Sequence, residues 1–172
     1  MSYEVEQAIK QMVPSKSLGP DDLLPVFYQK HWHAVGPDVI KSVLSWLNLG
    51  QLLWYIDHTH IILIPKVKNP ERVTEFRPIS LCNVIYKIVS KVLANRLKTI
   101  LSHIISESQN TFIPGHLITD KVLVAFETLH HMHSTKIGRD GVMALKLDMS
   151  KAYDWVEWAY LESLMGKMGF HA

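Results

Sequence analysis

Apolar residues recur about every 3.6 positions over several long stretches of the chain, and one short stretch, Thr59 to Ile64, is rich in β-branched residues. Val5, Ala8, Ile9 and Met12 share a face of a helix predicted over 3–13, with Glu4 and Glu6 near its positive end. The segment Pro14-Ser15-Lys16-Ser17-Leu18-Gly19-Pro20-Asp21-Asp22 breaks the period and predicts a loop, with Asp21 or Asp22 capping the helix that follows. That helix carries Val26, Phe27 and Tyr28, tolerates Pro25 in its first turn and is expected to stop near Gly36. Pro37 is expected to restart it, with Val39, Ile40, Val43, Leu44 and Leu47 on one stripe and Asn48 to Gly50 as its end.

Thr59 to Ile64 predicts a strand, halted by Pro65. The polar, basic stretch that follows, to Thr74, reads as a loop or hairpin tip. Phe76-Arg77-Pro78-Ile79-Ser80 is short and extended, and Pro78 places it at an edge or a strand start because proline has no ladder donor. Residues 83–105 form the clearest predicted helix, with Val84, Ile85, Ile88, Val89, Val92, Leu93, Leu97, Ile100, Leu101 and Ile104 following the 3.6 period and Lys87, Lys91 and Lys98 on the opposite face. A connector to Gly115, a helix over 117–133, a buried strand over Val142–Asp148 and a helix over 157–168 complete the pattern. The expected class is α/β to α+β, mostly helical with short strands.

Composition adds exclusions. Of the 172 residues, 48% are hydrophobic and 20% charged, which describes a globular chain rather than a disordered one. Runs such as Ile61-Ile62-Leu63-Ile64 fall far short of the ~20 apolar residues of a membrane span, so no membrane partner is expected. The first residues have neither the basic nor the apolar region of a secretory signal. The one cysteine, Cys82, excludes an intramolecular disulfide and a Cys-rich zinc site. It fits a reducing, intracellular compartment, nucleus or cytoplasm.

The net charge of +2 conceals its distribution. Between His60 and Lys98 stand Lys66, Lys68, Arg72, Arg77, Lys87, Lys91, Arg96 and Lys98 against only Glu71 and Glu75. Such a surplus points to a phosphate-bearing partner, and it equally describes a solvated basic face. Mobile lysines neutralise phosphate oxygens and a fixed arginine clamps them in bidentate fashion, which makes the 65–77 segment a candidate site. Asp148, at the end of the predicted strand, suits Mg²⁺ as a hard oxygen ligand and suits equally a cap for the next helix. The histidines come as His31/His33, His58/His60 and His130/His131/His133. Two ligands do not close a zinc site, and these read as surface residues.

In order along the chain, these motifs resemble the reverse transcriptase of non-LTR, LINE-type retrotransposons, in the form abundant in flowering plants. Ile62-Leu63-Ile64-Pro65-Lys66 with Phe76-Arg77-Pro78-Ile79-Ser80 is similar to the first fingers motif, and Lys87 to Lys98 to the helix after it. Ser108-Gln109, Phe112-Ile113-Pro114-Gly115 and Leu117-Ile118-Thr119-Asp120 resemble the second fingers motif. Leu145-Lys146-Leu147-Asp148-Met149-Ser150-Lys151-Ala152-Tyr153-Asp154 resembles the first palm motif.

The resemblance implies a right-hand polymerase. It assigns 1–58 to a helical N-terminal extension of the fingers, 59–140 to the fingers and 141–172 to the beginning of the palm, whose sheet is incomplete here. Asp148 matches a metal-binding catalytic aspartate, and Tyr153 the residue that screens the sugar of the incoming nucleotide. Arg77, with Lys66 or Lys68, matches residues that hold the triphosphate, while Arg72, Lys87, Lys91 and Lys98 are the expected nucleic-acid contacts. The implied chemistry is two-Mg²⁺ transfer from a dNTP to a DNA primer on an RNA template.

Departures from the family pattern are Leu18 and Asp22 in the first turn, His116, Lys121 and Trp155. The family's aromatic-Ala-Asp-Asp segment does not occur in these 172 residues, so the chain alone is expected to be an inactive, truncated fragment. Two alternatives are a non-catalytic nucleic-acid-binding or interaction module and an unselected pseudogene product.

Overall fold

A computed structural model describes residues 1–50, 54–106, 109, 115, 117–134, 143–145, 147 and 155–170. The chain divides into two units, Met1–Thr99 and Ile100–Ala172.

In the first unit, α1 (Ser2–Lys10) buries Val5, Ala8 and Ile9, the face its spacing predicts. The helix stops earlier than expected, with Gln11 as its cap, yet Met12 still reaches the core. The side-chain amide of Gln29 donates to the carbonyls of Ile9 and Met12 at 2.8 and 2.9 Å, so a neighbouring helix satisfies acceptors that α1 leaves open. That neighbour is α2 (Pro25–Lys30), with proline in its first turn.

The expected break at Gly36-Pro37 does not occur. Instead α2 ends at Lys30, and α3 runs from Trp32 to Leu49 straight through both residues. A Cβ on Gly36 would stand 2.9 Å from the Trp32 ring, so glycine here lets the indole lie against the helix. Pro37 sits early in α3, where its missing donor costs one hydrogen bond. Gly50, in the left-handed conformation at φ 68°, ends the helix as expected.

A short helix, α4 (Trp54–Asp57), leads into β1 (Thr59–Pro65), which pairs antiparallel with β2 (Phe76–Cys82). The register runs from Thr59 opposite Cys82 to Pro65 opposite Phe76. Next, α5 (Val84–Ile104) turns Val84, Ile88, Val89 and Val92 into the core against Val5, Ile9, Tyr28, Val39 and Val43. This four-helix cluster is the hydrophobic core of the unit, and the hairpin stands beside it with Ile61 and Leu63 mostly exposed. Burial raises the Tyr28 phenol above its ordinary pKa, and Asp21 adds to the shift.

In the second unit, α6 (Ile118–Ser134) starts at a reciprocal cap: the Asp120 carboxylate accepts from the Leu117 N–H, and the Asp120 N–H donates to the Leu117 carbonyl. A final helix, α7 (Trp158–Lys167), ends at Gly169 with φ 89°. The buried strand expected over 142–148 is not found where it can be checked: Met143, Ala144, Leu145 and Leu147 form no strand, and Met143, Leu145 and Leu147 are exposed rather than buried, while Val142, Lys146 and Asp148 lie outside the described residues.

The described fold is therefore mostly helical with one two-stranded antiparallel sheet. Among the described residues no helix is long and apolar enough to cross a membrane.

Candidate nucleic-acid interface

The hairpin presents the basic segment. Its loop closes between the Lys66 N–H and the Glu75 carbonyl at 2.7 Å. The Lys66 ammonium crosses the loop to the Thr74 carbonyl at 2.8 Å. Glu75 accepts from the backbone N–H groups of Glu71 and Arg72 at 2.6 and 3.2 Å, so the carboxylate inside this basic loop shapes its backbone. The loop and strand thereby hold Lys68, Arg72 and Arg77 outward, all exposed. Arg77 lies opposite Ile64, on the strand face that also carries Ile79 and Ile62.

The junction between β2 and α5 is held from a distance. Asp21 was expected to cap α2 if it capped a helix. Its carboxylate instead accepts the backbone N–H of Val84, the first residue of α5, at 2.8 Å. Leu24 rather than an aspartate precedes α2, and the Val26 and Phe27 N–H groups that a local cap would serve donate to the Pro14 and Leu24 carbonyls at 3.2 and 3.0 Å, whereas α5 offers its own open N–H. Gly19 makes this approach possible: a Cβ at that position would stand 2.2 Å from the Cys82 carbonyl oxygen. From the other side, the Asn83 amide donates to the carbonyls of Tyr55 and Ile56 at 2.8 and 3.2 Å.

Three of the eight basic side chains in the segment are committed within the fold. Lys66 is one. Arg96 forms a two-point pair with Glu4 at 2.9 Å on both contacts. That hydrogen bond holds the Glu4 carboxyl below its ordinary range and raises the guanidinium. Lys87 donates to the Ser17 carbonyl at 2.7 Å. Burial pulls the Lys87 ammonium below its ordinary lysine value, Asp21 and Cys82 oppose the shift, and Lys16 adds to it. The side chains of Lys68, Arg72, Arg77, Lys91 and Lys98 make no hydrogen bond or ion pair among the described residues.

Lys91 borders a groove of about 750 Å³ between the end of α1, β2 and α5. Lys16, Tyr86 and Lys87 also line it. Sequence reading singled out neither Lys16 nor Tyr86. Lys16 sits alone in a proline-bounded loop and Tyr86 inside an amphipathic helix, so no local pattern marks them.

Asp148 and Tyr153 lie outside the described residues. Among the described residues no group of three or more His, Cys, Asp or Glu side chains converges to hold a metal. His31, His33, His58, His60, His130 and His133 are exposed.

The family model for reverse transcriptase (RNA-dependent DNA polymerase) matches residues 64–172. The chain is similar to the "Transposon TX1 uncharacterized 149 kDa protein" of Xenopus laevis, with 33% identity over 92% of this chain and 12% of the relative. It is also similar to the "Retrovirus-related Pol polyprotein from type-2 retrotransposable element R2DM" of Drosophila melanogaster, with 28% identity over 90% of this chain and 14% of the relative. The chain thus spans about one-eighth of the length of each of these two relatives.

Proposed function

This chain belongs to the reverse transcriptase (RNA-dependent DNA polymerase) family, and we propose from that premise that it is the nucleic-acid-gripping fingers region and the start of the palm of a non-LTR, LINE-type retrotransposon enzyme. The observation that carries the reading is the hairpin. The loop exposes Lys68 and Arg72 and the adjoining strand Arg77; of its two acidic residues, Glu75 is turned onto backbone N–H groups and Glu71 stays exposed, which leaves three cations against one carboxylate. Exposed cations without protein partners suit phosphates, which draw affinity from charge and release counterions.

In this reading 1–58 extends the fingers, 59–140 is the fingers and 141–172 opens the palm. Arg77, with Lys68 and Lys66, holds the nucleotide triphosphate. Arg72, Lys91 and Lys98 meet the RNA template and DNA primer, and Lys87 supports them through its bond to the Ser17 loop. Tyr153 screens the sugar, and Asp148 is the carboxylate assigned to catalysis. Two similarities to transposable-element proteins support the retrotransposon origin. The motif wording supports the plant-type branch. The family implies Mg²⁺, and no metal step is assigned to this chain.

In these 172 residues Asp148 stands without an aromatic-Ala-Asp-Asp segment, and one carboxylate holds Mg²⁺ weakly, so this chain by itself is expected to grip primer–template through its cations without extending it. The test is equilibrium binding of a labelled DNA primer on an RNA template, followed by primer extension with dNTPs and Mg²⁺. Binding without extension is expected. Extension that disappears in Asp148→Ala would overturn the inactivity, and absence of binding would overturn the function.

A further inference from the structure

The lining of the groove beside α5 is basic. Three lysines, Lys16, Lys87 and Lys91, line it, and no aspartate or glutamate does. Lys87 is spent on the Ser17 carbonyl, and the Asp21 charge acts on it from nearby. The Lys16 and Lys91 side chains make no hydrogen bond or ion pair among the described residues. Lys16 and Lys87 line the same groove, so their two positive charges share one wall of it. Lys16 and Lys91 are therefore the groove cations open to an anion, while Lys87 is held by the fold.

The rest of the lining is suited to a base. Tyr86 is partly exposed to the groove, and its ring stacks on no other aromatic among the described residues. Ile79 supplies an apolar wall, and the Ser90 hydroxyl adds a polar edge. The volume, about 750 Å³, is within the ~300–1,000 Å³ range of small-ligand sites and too small for a duplex.

We infer that this groove holds a short stretch of single-stranded nucleic acid, with phosphates between Lys16 and Lys91 and an unpaired base against the Tyr86 ring. The inference rests on the proposed function and names a path for the strand that the hairpin alone does not provide. Ile79 connects the two: it lines the groove and stands on the same β2 face as Arg77, two residues away, about 7 Å along the strand. Lys87 acts as a positioning residue here, since its ammonium fixes the Ser17 carbonyl beside Lys16.

The test is fluorescence anisotropy of labelled oligo(U) and oligo(dT) across a salt series, with the 172-residue chain and three variants. Lys16→Gln/Lys91→Gln is expected to weaken binding about tenfold and to make the log–log salt slope shallower by about 1.4, the loss of two phosphate contacts. Tyr86→Leu is expected to weaken binding about tenfold and leave the slope unchanged. Lys68→Gln/Arg72→Gln removes hairpin cations alone. The oligonucleotide bound more tightly by the unsubstituted chain identifies which strand the groove takes.

A second measurement does not depend on how any variant folds. Photo-crosslinking of a 4-thiouridine oligonucleotide to the unsubstituted chain is expected to label the peptide containing Tyr86 and Lys91. Full affinity in both groove variants, with crosslinks confined to 66–77, would overturn the groove and leave the proposed function standing. If the unsubstituted chain shows no salt-dependent binding at all, the proposed function fails first and the groove with it.

Discussion

The carboxylate of Asp21 caps the backbone N–H of Val84 at 2.8 Å, joining a loop to a helix 63 residues further along the chain. One interaction thereby fixes the start of α5, the end of β2 and the edge of the basic groove. Removing it in Asp21→Ala is expected to cost about 1–2 kcal/mol, the usual worth of a helix cap. Asp21→Asn keeps an acceptor oxygen and is expected to lose less. Urea midpoints of the three proteins check this, and equal midpoints would show that the cap carries no stability.

Gly19 is the steric condition for that contact. In Gly19→Ala the new Cβ would meet the Cys82 carbonyl at 2.2 Å, and the partner is backbone rather than a flexible side chain. The loop must therefore withdraw, and the Asp21 cap goes with it. The variant is expected to lose more stability than Asp21→Ala, by roughly 1 kcal/mol or more on the scale of overpacking costs. Adding Gly19→Ala to Asp21→Ala is expected to cost less than the sum of the two, because both break one joint.

Glu4 and Arg96 supply a pH signature. The Glu4 carboxyl is held below its ordinary value of 4.5, first by its hydrogen bond to Arg96. A depressed carboxylate contributes stability above its unfolded value, and that contribution fades as pH falls through the folded one. Both side chains are more than one-third exposed, so solvent screening keeps the effect within about 1 kcal/mol. Urea midpoints from pH 6 to pH 3 are expected to fall more steeply for the unsubstituted chain than for Glu4→Gln. Parallel profiles would show that the pair is silent.

What was legible in the sequence follows from what is local. The helices at 84–104, 118–134 and 158–167 lie within a residue or two of the expected bounds, because 3.6-residue apolar periodicity marks a helix; only the first of them turns that stripe into a buried face among the described residues. The strands at 59–65 and 76–82 were visible from β-branched content and the prolines. The α2–α3 boundary was misplaced because Gly36 and Pro37 look like a break in sequence, while in the fold Gly36 accommodates the Trp32 indole.

The site was legible in outline and not in detail. Charge counting found the basic segment but could not see that Arg96 is paired with Glu4, 92 residues away, or that Lys87 is held by Ser17, 70 residues away. Those commitments are tertiary, as is the Asp21 cap. They divide the eight basic residues into cations that build the fold and cations left for a partner.

The central claim is that the cations left over grip nucleic acid, and the salt dependence of primer–template affinity tests it most directly. The slope of log affinity against log salt is to be compared between the unsubstituted chain and Lys68→Gln/Arg72→Gln/Arg77→Gln. The account predicts salt-sensitive binding that weakens in the triple variant, with a slope shallower by roughly 2–3 for three lost phosphate contacts. Identical slopes and affinities for the two proteins would contradict it.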